Sequence, residues 1–140
     1  MNGNCQIVIA EDNPADVMVV RMALEQAIPA FHLRVFEDGA SMLRYVDQLD
    51  REGGPWPDVM LLDLNMPKAG GLEVMQRLRT CTARTSTPVI ILTSSSRPKD
   101  REQALALGAV HYFLKPDDFD DFLKIGDVVN ETLKSRQAQA

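Results

Sequence analysis

Glu11 and Asp12 follow the run "CQIVIA", Asp63 closes "DVMLLD", Thr93 closes "PVIILT", and Lys115 follows "AVHYFL". Three carboxylates, a hydroxyl and an ammonium therefore stand where short apolar runs end. Each has a plain explanation by itself. An acidic pair before a helix is usually a solvated turn or cap, Asp63 suits an Asx turn, and Thr93 suits a cap. Taken together they form a set, because a carboxylate ending an apolar strand is costly unless something compensates its charge. Clustered carboxylates favour a hard divalent cation, and Mg²⁺ takes few protein oxygens while keeping waters and phosphate oxygens. With such charge neutralised, Asp63 can act as a carboxylate nucleophile and form an aspartyl phosphate. Lys115 and Thr93 would stabilise the transferring group.

For these residues to meet, the segments carrying them must lie side by side. Five strand-like runs appear: Cys5 to Ala10, Phe31 to Phe36, Asp58 to Asp63, Pro88 to Thr93 and Ala109 to Leu114. The first, third and fourth are nearly continuous apolar stretches, as expected of central strands covered on both faces. "FHLRVF" alternates apolar and polar residues, which suits a strand nearer an edge. Helical segments intervene at Pro14 to Gln26, Ala40 to Arg51, Leu72 to Thr80 and Pro98 to Leu107, and a last helix runs from Asp118 to Lys134. Asn13 before Pro14 reads as an N-cap. Strands alternating with helices imply βαβ units and a doubly wound parallel sheet. In such sheets ligands bind beyond the carboxyl ends of the strands, where the five chemical groups stand.

Composition bounds the alternatives. The chain has 140 residues, 45% hydrophobic and 25% charged, which fits one globular domain. A net charge of −5 argues against nucleic-acid binding. No stretch reaches the ~20 apolar residues of a membrane span, and no signal peptide is evident. The expectation is a single cytoplasmic domain over 1–140, with a core of about 5–134, a frayed tail at 135–140 and no output domain. Cys5 and Cys81 fit no metal or disulfide spacing and read as free thiols. His32 and His111 read as non-functional, and His111, alternating with apolar neighbours, reads as an outward strand position. Trp56 sits in the Gly- and Pro-rich loop "DREGGPWPD" and fits either a local lid or an interface.

Four segments in order, "VIAEDNPAD", "LLDLNMPKAGGLEV", "ILTSSS" and "GAVHYFLKP", resemble the receiver domain of two-component response regulators. The resemblance covers roughly Cys5 to Leu133. It implies a flavodoxin-like (βα)5 fold with five parallel strands in the order 2-1-3-4-5. It implies Asp63 as phosphoacceptor, and Mg²⁺ held by Glu11, Asp12, Asp63 and the backbone carbonyl of Asn65. Thr93 and Lys115 would contact the phosphoryl group, Thr93 and Tyr112 would form the switch, and the Lys115–Pro116 peptide would be cis. Ser94 is small, as access to the site requires, and Asn65 and Ser95 occupy positions that modulate hydrolysis. The implied partner is a histidine kinase, and the output is partner binding or homodimerisation through the face of the fourth helix, fifth strand and fifth helix. "EDNPADV", the loop before the third strand and "FLKPDDFDDF" are similar to single-domain regulators paired with phytochrome-type kinases. The apolar run Val17 to Val20 in the first helix offers either a kinase-docking surface, as this family uses, or an ordinary exposed methionine at Met18. One departure is Gly70-Gly71 where the family has Asp-Gly, which predicts a looser loop after the third strand.

Two other functions compete. A Mg²⁺-dependent phosphatase turning over through an aspartyl intermediate would want a second Asp two residues after the nucleophile, and Asn65 stands there. A scaffold with an inactive site is at odds with the complete set of reactive residues.

Overall fold

The computed structural model describes residues 4–81 and 86–138. Five parallel strands form one sheet in the order β2-β1-β3-β4-β5: β1 (Cys5–Ala10), β2 (Phe31–Phe36), β3 (Val59–Leu62), β4 (Val89–Thr93) and β5 (His111–Leu114). The strand order and the edge position of β2 are those expected from the sequence. Helices α1 (Pro14–Ala27), α2 (Gly39–Glu52), α3 (Gly71–Arg79) and α4 (Pro98–Ala106) follow the first four strands, and α5 (Phe119–Phe122) and α6 (Ile125–Ala138) follow the fifth.

Period-two alternation along the strands divides the core into two layers. Ile7, Ile9, Leu61, Ile90 and Leu92 pack with Val20 and Leu24 of α1 and Ile125 and Val129 of α6. Val8, Ala10, Met60, Leu62 and Ile91 face the other way, onto Met42 and Val46 of α2, Val74 and Met75 of α3 and Ala104 of α4. Both faces of the central strands are therefore dry, which accounts for their unbroken apolar runs. Trp56 is half-buried against the second layer, so it packs locally. His111 is exposed, as its alternation predicts, and His32 is exposed as well.

Two expectations need correction. The last helix is broken rather than continuous from Asp118 to Lys134. At the joint, Lys124 N–H donates to Asp121 O at 3.2 Å and Gly126 N–H donates to Leu123 O at 3.1 Å, both three residues back. That tighter bonding reorients the chain so that α6 can lie on α1. The helix also continues to Ala138, into the segment expected as a tail, whose residues 139–140 lie outside the described residues. Arg136 fastens it, donating from Nη1 to the carbonyls of Asp58 at 2.7 Å and Pro57 at 3.3 Å.

The α1–α6 contact depends on Gly126. A β-carbon there would run into the carbonyl oxygen of Ala23 and stand 3.1 Å from Ala27 Cβ. Gly126→Val would push the two helices apart, and overpacking of this kind costs about 1–3 kcal/mol. A thermal melt of the variant is expected to show a clear drop in midpoint, roughly 2–4 °C per kcal/mol.

Candidate functional site

The rim is assembled by the strand register. In the β4–β5 ladder Thr93 pairs with Leu114, and Lys115 N–H then donates to Thr93 O at 2.7 Å. On the other side Asp63 N–H donates to Ala10 O at 3.1 Å, and Glu11 N–H donates to Phe36 O at 2.9 Å. Residues at the carboxyl ends of β1, β3, β4 and β5 thus converge. Asn13 starts α1 as anticipated, its Oδ1 accepting from Ala15 N–H at 2.9 Å and Asp16 N–H at 3.3 Å.

At the centre lies the ammonium of Lys115. Its Nζ is 2.7 Å from Glu11 Oε1, 2.8 Å from Asp16 Oδ2 and 3.1 Å from Asp63 Oδ2. The Lys115 side chain is 10% exposed, against 1% for Glu11 and 6% for Asp63, so these charges interact with little solvent screening. Burial alone would lower the pKa of Lys115, but hydrogen bonds to Asp16 and Glu11 and the charges of Glu11 and Asp63 outweigh it and hold the group protonated. Burial pushes Glu11 up to about 7, opposed by Lys115 and reinforced by the charge of Asp63.

Asp63 fits both readings given above. Its Oδ1 accepts from Asn65 N–H at 3.1 Å, an Asx-type turn, while its Oδ2 faces Lys115. The turn orients the carboxylate for chemistry. Gly71 N–H donates to Leu64 O at 3.3 Å, and a β-carbon on Gly71 would come within 2.5 Å of Asp63 O. Glycine at that position lets α3 start directly against the Asp63 backbone. The departure at Gly70 does not leave this loop untethered. Gly70 N–H donates to Glu73 Oε1 at 3.3 Å, and Gly39 N–H donates to Pro67 O at 3.2 Å. A side chain at position 70 would press within 2.5 Å of Leu64 O.

Oxygen atoms of Glu11, Asp12 and Asp63 lie within 4.8 Å of one another. Glu11 Oε1 is buried against the Lys115 ammonium, 2.7 Å from its Nζ. Three carboxylates, Glu11, Asp16 and Asp63, surround the ammonium, and Asp12 stands beside Glu11 and Asp63. An all-oxygen donor set with excess negative charge fits a hard divalent cation.

Thr93 is fully buried, and its hydroxyl accepts from Ser95 N–H at 3.3 Å. Tyr112 is 9% exposed, with its hydroxyl donating to Ser95 O at 2.9 Å and the guanidinium of Arg101 5.7 Å over its ring. Ser95 Oγ in turn donates to Asp100 Oδ2 at 2.5 Å. Ser95 therefore links the hydroxyl of Thr93, the ring of Tyr112 and the first turn of α4. Glu11, Asp12, Asp63 and Lys115 come together as predicted, whereas Tyr112 reaches the site through Ser95. The Lys115–Pro116 peptide is trans, contrary to expectation; among the described residues the cis bond is Gly54–Pro55. Trans is the lower-energy isomer by about 0.5–1 kcal/mol for X-Pro, and with it Lys115 keeps its backbone bond to Thr93 and reaches all three carboxylates.

Sequence reasoning missed Asp16. The signal was a fourth acidic residue one helical turn beyond Asp12, in the first turn of α1, where acidic residues are common for dipole reasons alone.

A family model for the response regulator receiver domain matches residues 7–126. The chain belongs to that family. It is 29% identical over 120 residues to the response regulator Rcp1 of Synechocystis sp., spanning 85% of this chain and 82% of Rcp1. It is also 29% identical over 125 residues to a probable methanogenesis regulatory protein, FilR2, of Methanothrix harundinacea, spanning 89% and 81%. Among solved structures, the phosphorylated cyanobacterial phytochrome response regulator RcpA superposes with a TM-score of 0.82 at 26% identity, covering 95% of this chain and 96% of RcpA. The Mn²⁺-bound form of Rcp1 gives 0.79 at 27% identity, covering 91% and 92%. Receivers are signalling domains that work with histidine kinases, and the acidic cluster of this chain is consistent with a phosphorylation site. No described helix is long and apolar enough to cross a membrane.

Proposed function

We propose that this receiver is a switch that takes a phosphoryl group from a histidine kinase onto Asp63. The observation that carries the reading is the Lys115 ammonium held 3.1 Å from Asp63 Oδ2 at the meeting point of the strand ends. A carboxylate oxygen of Asp63 attacks phosphorus, a new P–O bond forms, and the P–N bond to the kinase imidazole breaks with its electron pair leaving on nitrogen. Lys115 stays against the phosphoryl oxygens. The Thr93 hydroxyl turns from Ser95 N–H to donate to a phosphoryl oxygen, and Ser95 carries that change to Tyr112 and α4.

Glu11, Asp12, Asp63 and the Asn65 carbonyl would hold Mg²⁺ as the physiological cation, which would supply charge neutralisation for the transferring group. The Mn²⁺ bound by the related Rcp1 supports a divalent cation here. The kinase is of phytochrome type, supported by the likeness to the phytochrome response regulator RcpA. Met18 on α1, 65% exposed, offers it an apolar contact. Output passes through α4, β5 and the α5–α6 segment, where Leu105, Val110, Leu114 and Phe119 are exposed, to a protein target or a second copy. Phosphorylation adds roughly −1.5 to −2 charge, enough to bias a two-state element.

Incubation with acetyl phosphate and MgCl₂ tests the reading. The expected product is a single phosphoryl adduct by intact mass, removed by hydroxylamine and suppressed by EDTA. Absence of an adduct overturns the switch. Continuous phosphate release from unrelated phosphate esters would indicate the phosphatase instead.

A further inference from the structure

Lys115 has three carboxylate partners, and two of them are committed elsewhere in the proposed reaction. Glu11 and Asp63 belong to the oxygen set within 4.8 Å that fits a cation, and Asp63 also receives the phosphoryl group. Asp16 lies outside that set, yet its Oδ2 is 2.8 Å from Lys115 Nζ, closer than Asp63. It reaches the ammonium from the first turn of α1, whose start is fixed by the Asn13 cap. Its side chain is 22% exposed, compared with 1% and 6% for Glu11 and Asp63, so it sits on the solvent side of the ammonium.

From this geometry we infer that Asp16 is a positioning residue for phosphoryl transfer, tethering the Lys115 ammonium when its other partners are taken. The inference rests on the reading of Asp63 as phosphoacceptor. A lysine head on four rotatable bonds loses substantial freedom when aimed at one point, and a fixed counter-charge removes that cost before the reaction. With Glu11 and Asp63 engaged as cation ligands, Asp16 would still hold the ammonium beside the phosphorus. Asp63 oxygen then bonds to phosphorus, and the bond from phosphorus to the leaving group breaks with its electrons on that group. Asp16 touches neither the nucleophile nor the phosphoryl group, so its effect runs through Lys115.

The test measures phosphorylation by acetyl phosphate, with acetate leaving, in the wild type, Asp16→Asn, Asp16→Glu, Lys115→Met and the Asp16→Asn/Lys115→Met double variant. Mg²⁺ and acetyl phosphate are each titrated, and circular dichroism checks folding. Asp16→Asn is expected to lower the saturating rate about three- to tenfold, the order lost with one charge-assisted contact to a positioned group. The half-saturating Mg²⁺ concentration should change less than about twofold, because the tether acts outside the donor set. Asp16→Glu should recover part of the rate. In the Lys115→Met background, Asp16→Asn should have no further effect, since the two residues act as one unit. An unchanged or faster rate in Asp16→Asn, or an equal rate loss with Lys115 already removed, overturns the inference. So does a change confined to Mg²⁺ half-saturation. A wild type that takes no phosphoryl group overturns the phosphoacceptor reading itself, which keeps the two failures apart.

Discussion

Asp63→Asn is expected to abolish phosphorylation by acetyl phosphate while leaving a folded protein. The carboxylate supplies the attacking oxygen, and an amide oxygen is a far weaker nucleophile with no stable phosphoryl product. A rate loss of at least about a thousandfold, or roughly 4 kcal/mol in the barrier, follows. The fold should survive because the Asn carbonyl can still accept from Asn65 N–H, and Lys115 retains Glu11 and Asp16. Intact-mass measurement after incubation with MgCl₂ and acetyl phosphate reads the outcome. An adduct of undiminished yield would place the phosphoacceptor elsewhere, with exposed Asp12 the first residue to examine by peptide mapping.

How far the site can be read from the chain depends on the range of the interaction that makes each feature. The strands are legible because both faces of β1, β3 and β4 are covered, so their apolar runs carry no interruption. Glu11, Asp63, Thr93 and Lys115 are legible because parallel topology sends every strand end to the same rim, whatever the detailed packing. Asp16 is not, because its role is set by a lysine almost a hundred residues later. The break between α5 and α6 is hidden for a similar reason. Phe122, Ile125 and Val129 keep a helix-like spacing across it, and the cause lies in how closely α6 must approach Ala23 of α1. The tail shows the same limit, since Arg136 finds its carbonyls near the start of β3.

Lys115→Met should destabilise the metal-free protein and make its stability strongly dependent on Mg²⁺. Removing the ammonium leaves Glu11, Asp16 and Asp63 facing one another with no cation, and breaking a buried ion pair by deleting one partner costs about 3–5 kcal/mol. Part of that is relieved by protonation of Glu11, whose pKa already stands at about 7, chiefly through burial. An acid with a folded-state pKa above its unfolded value favours folding most below the unfolded pKa and loses that contribution as pH rises through the folded one. Without the opposing hydrogen bond and charge of Lys115 the Glu11 pKa climbs further. In EDTA, therefore, the deficit of the variant should widen between pH 5 and pH 8 (roughly the span from unfolded to raised carboxylate values). Mg²⁺ should recover much of the loss, because a cation held by Glu11, Asp12 and Asp63 replaces the missing charge and binding to the native state adds about 2.7 kcal/mol at a hundred times its dissociation constant. Chemical denaturation at the two pH values, with and without Mg²⁺, measures all of these. A variant as stable as the wild type in EDTA at pH 8 would mean that the carboxylates move apart freely, and that Lys115 is not what holds the unphosphorylated site together.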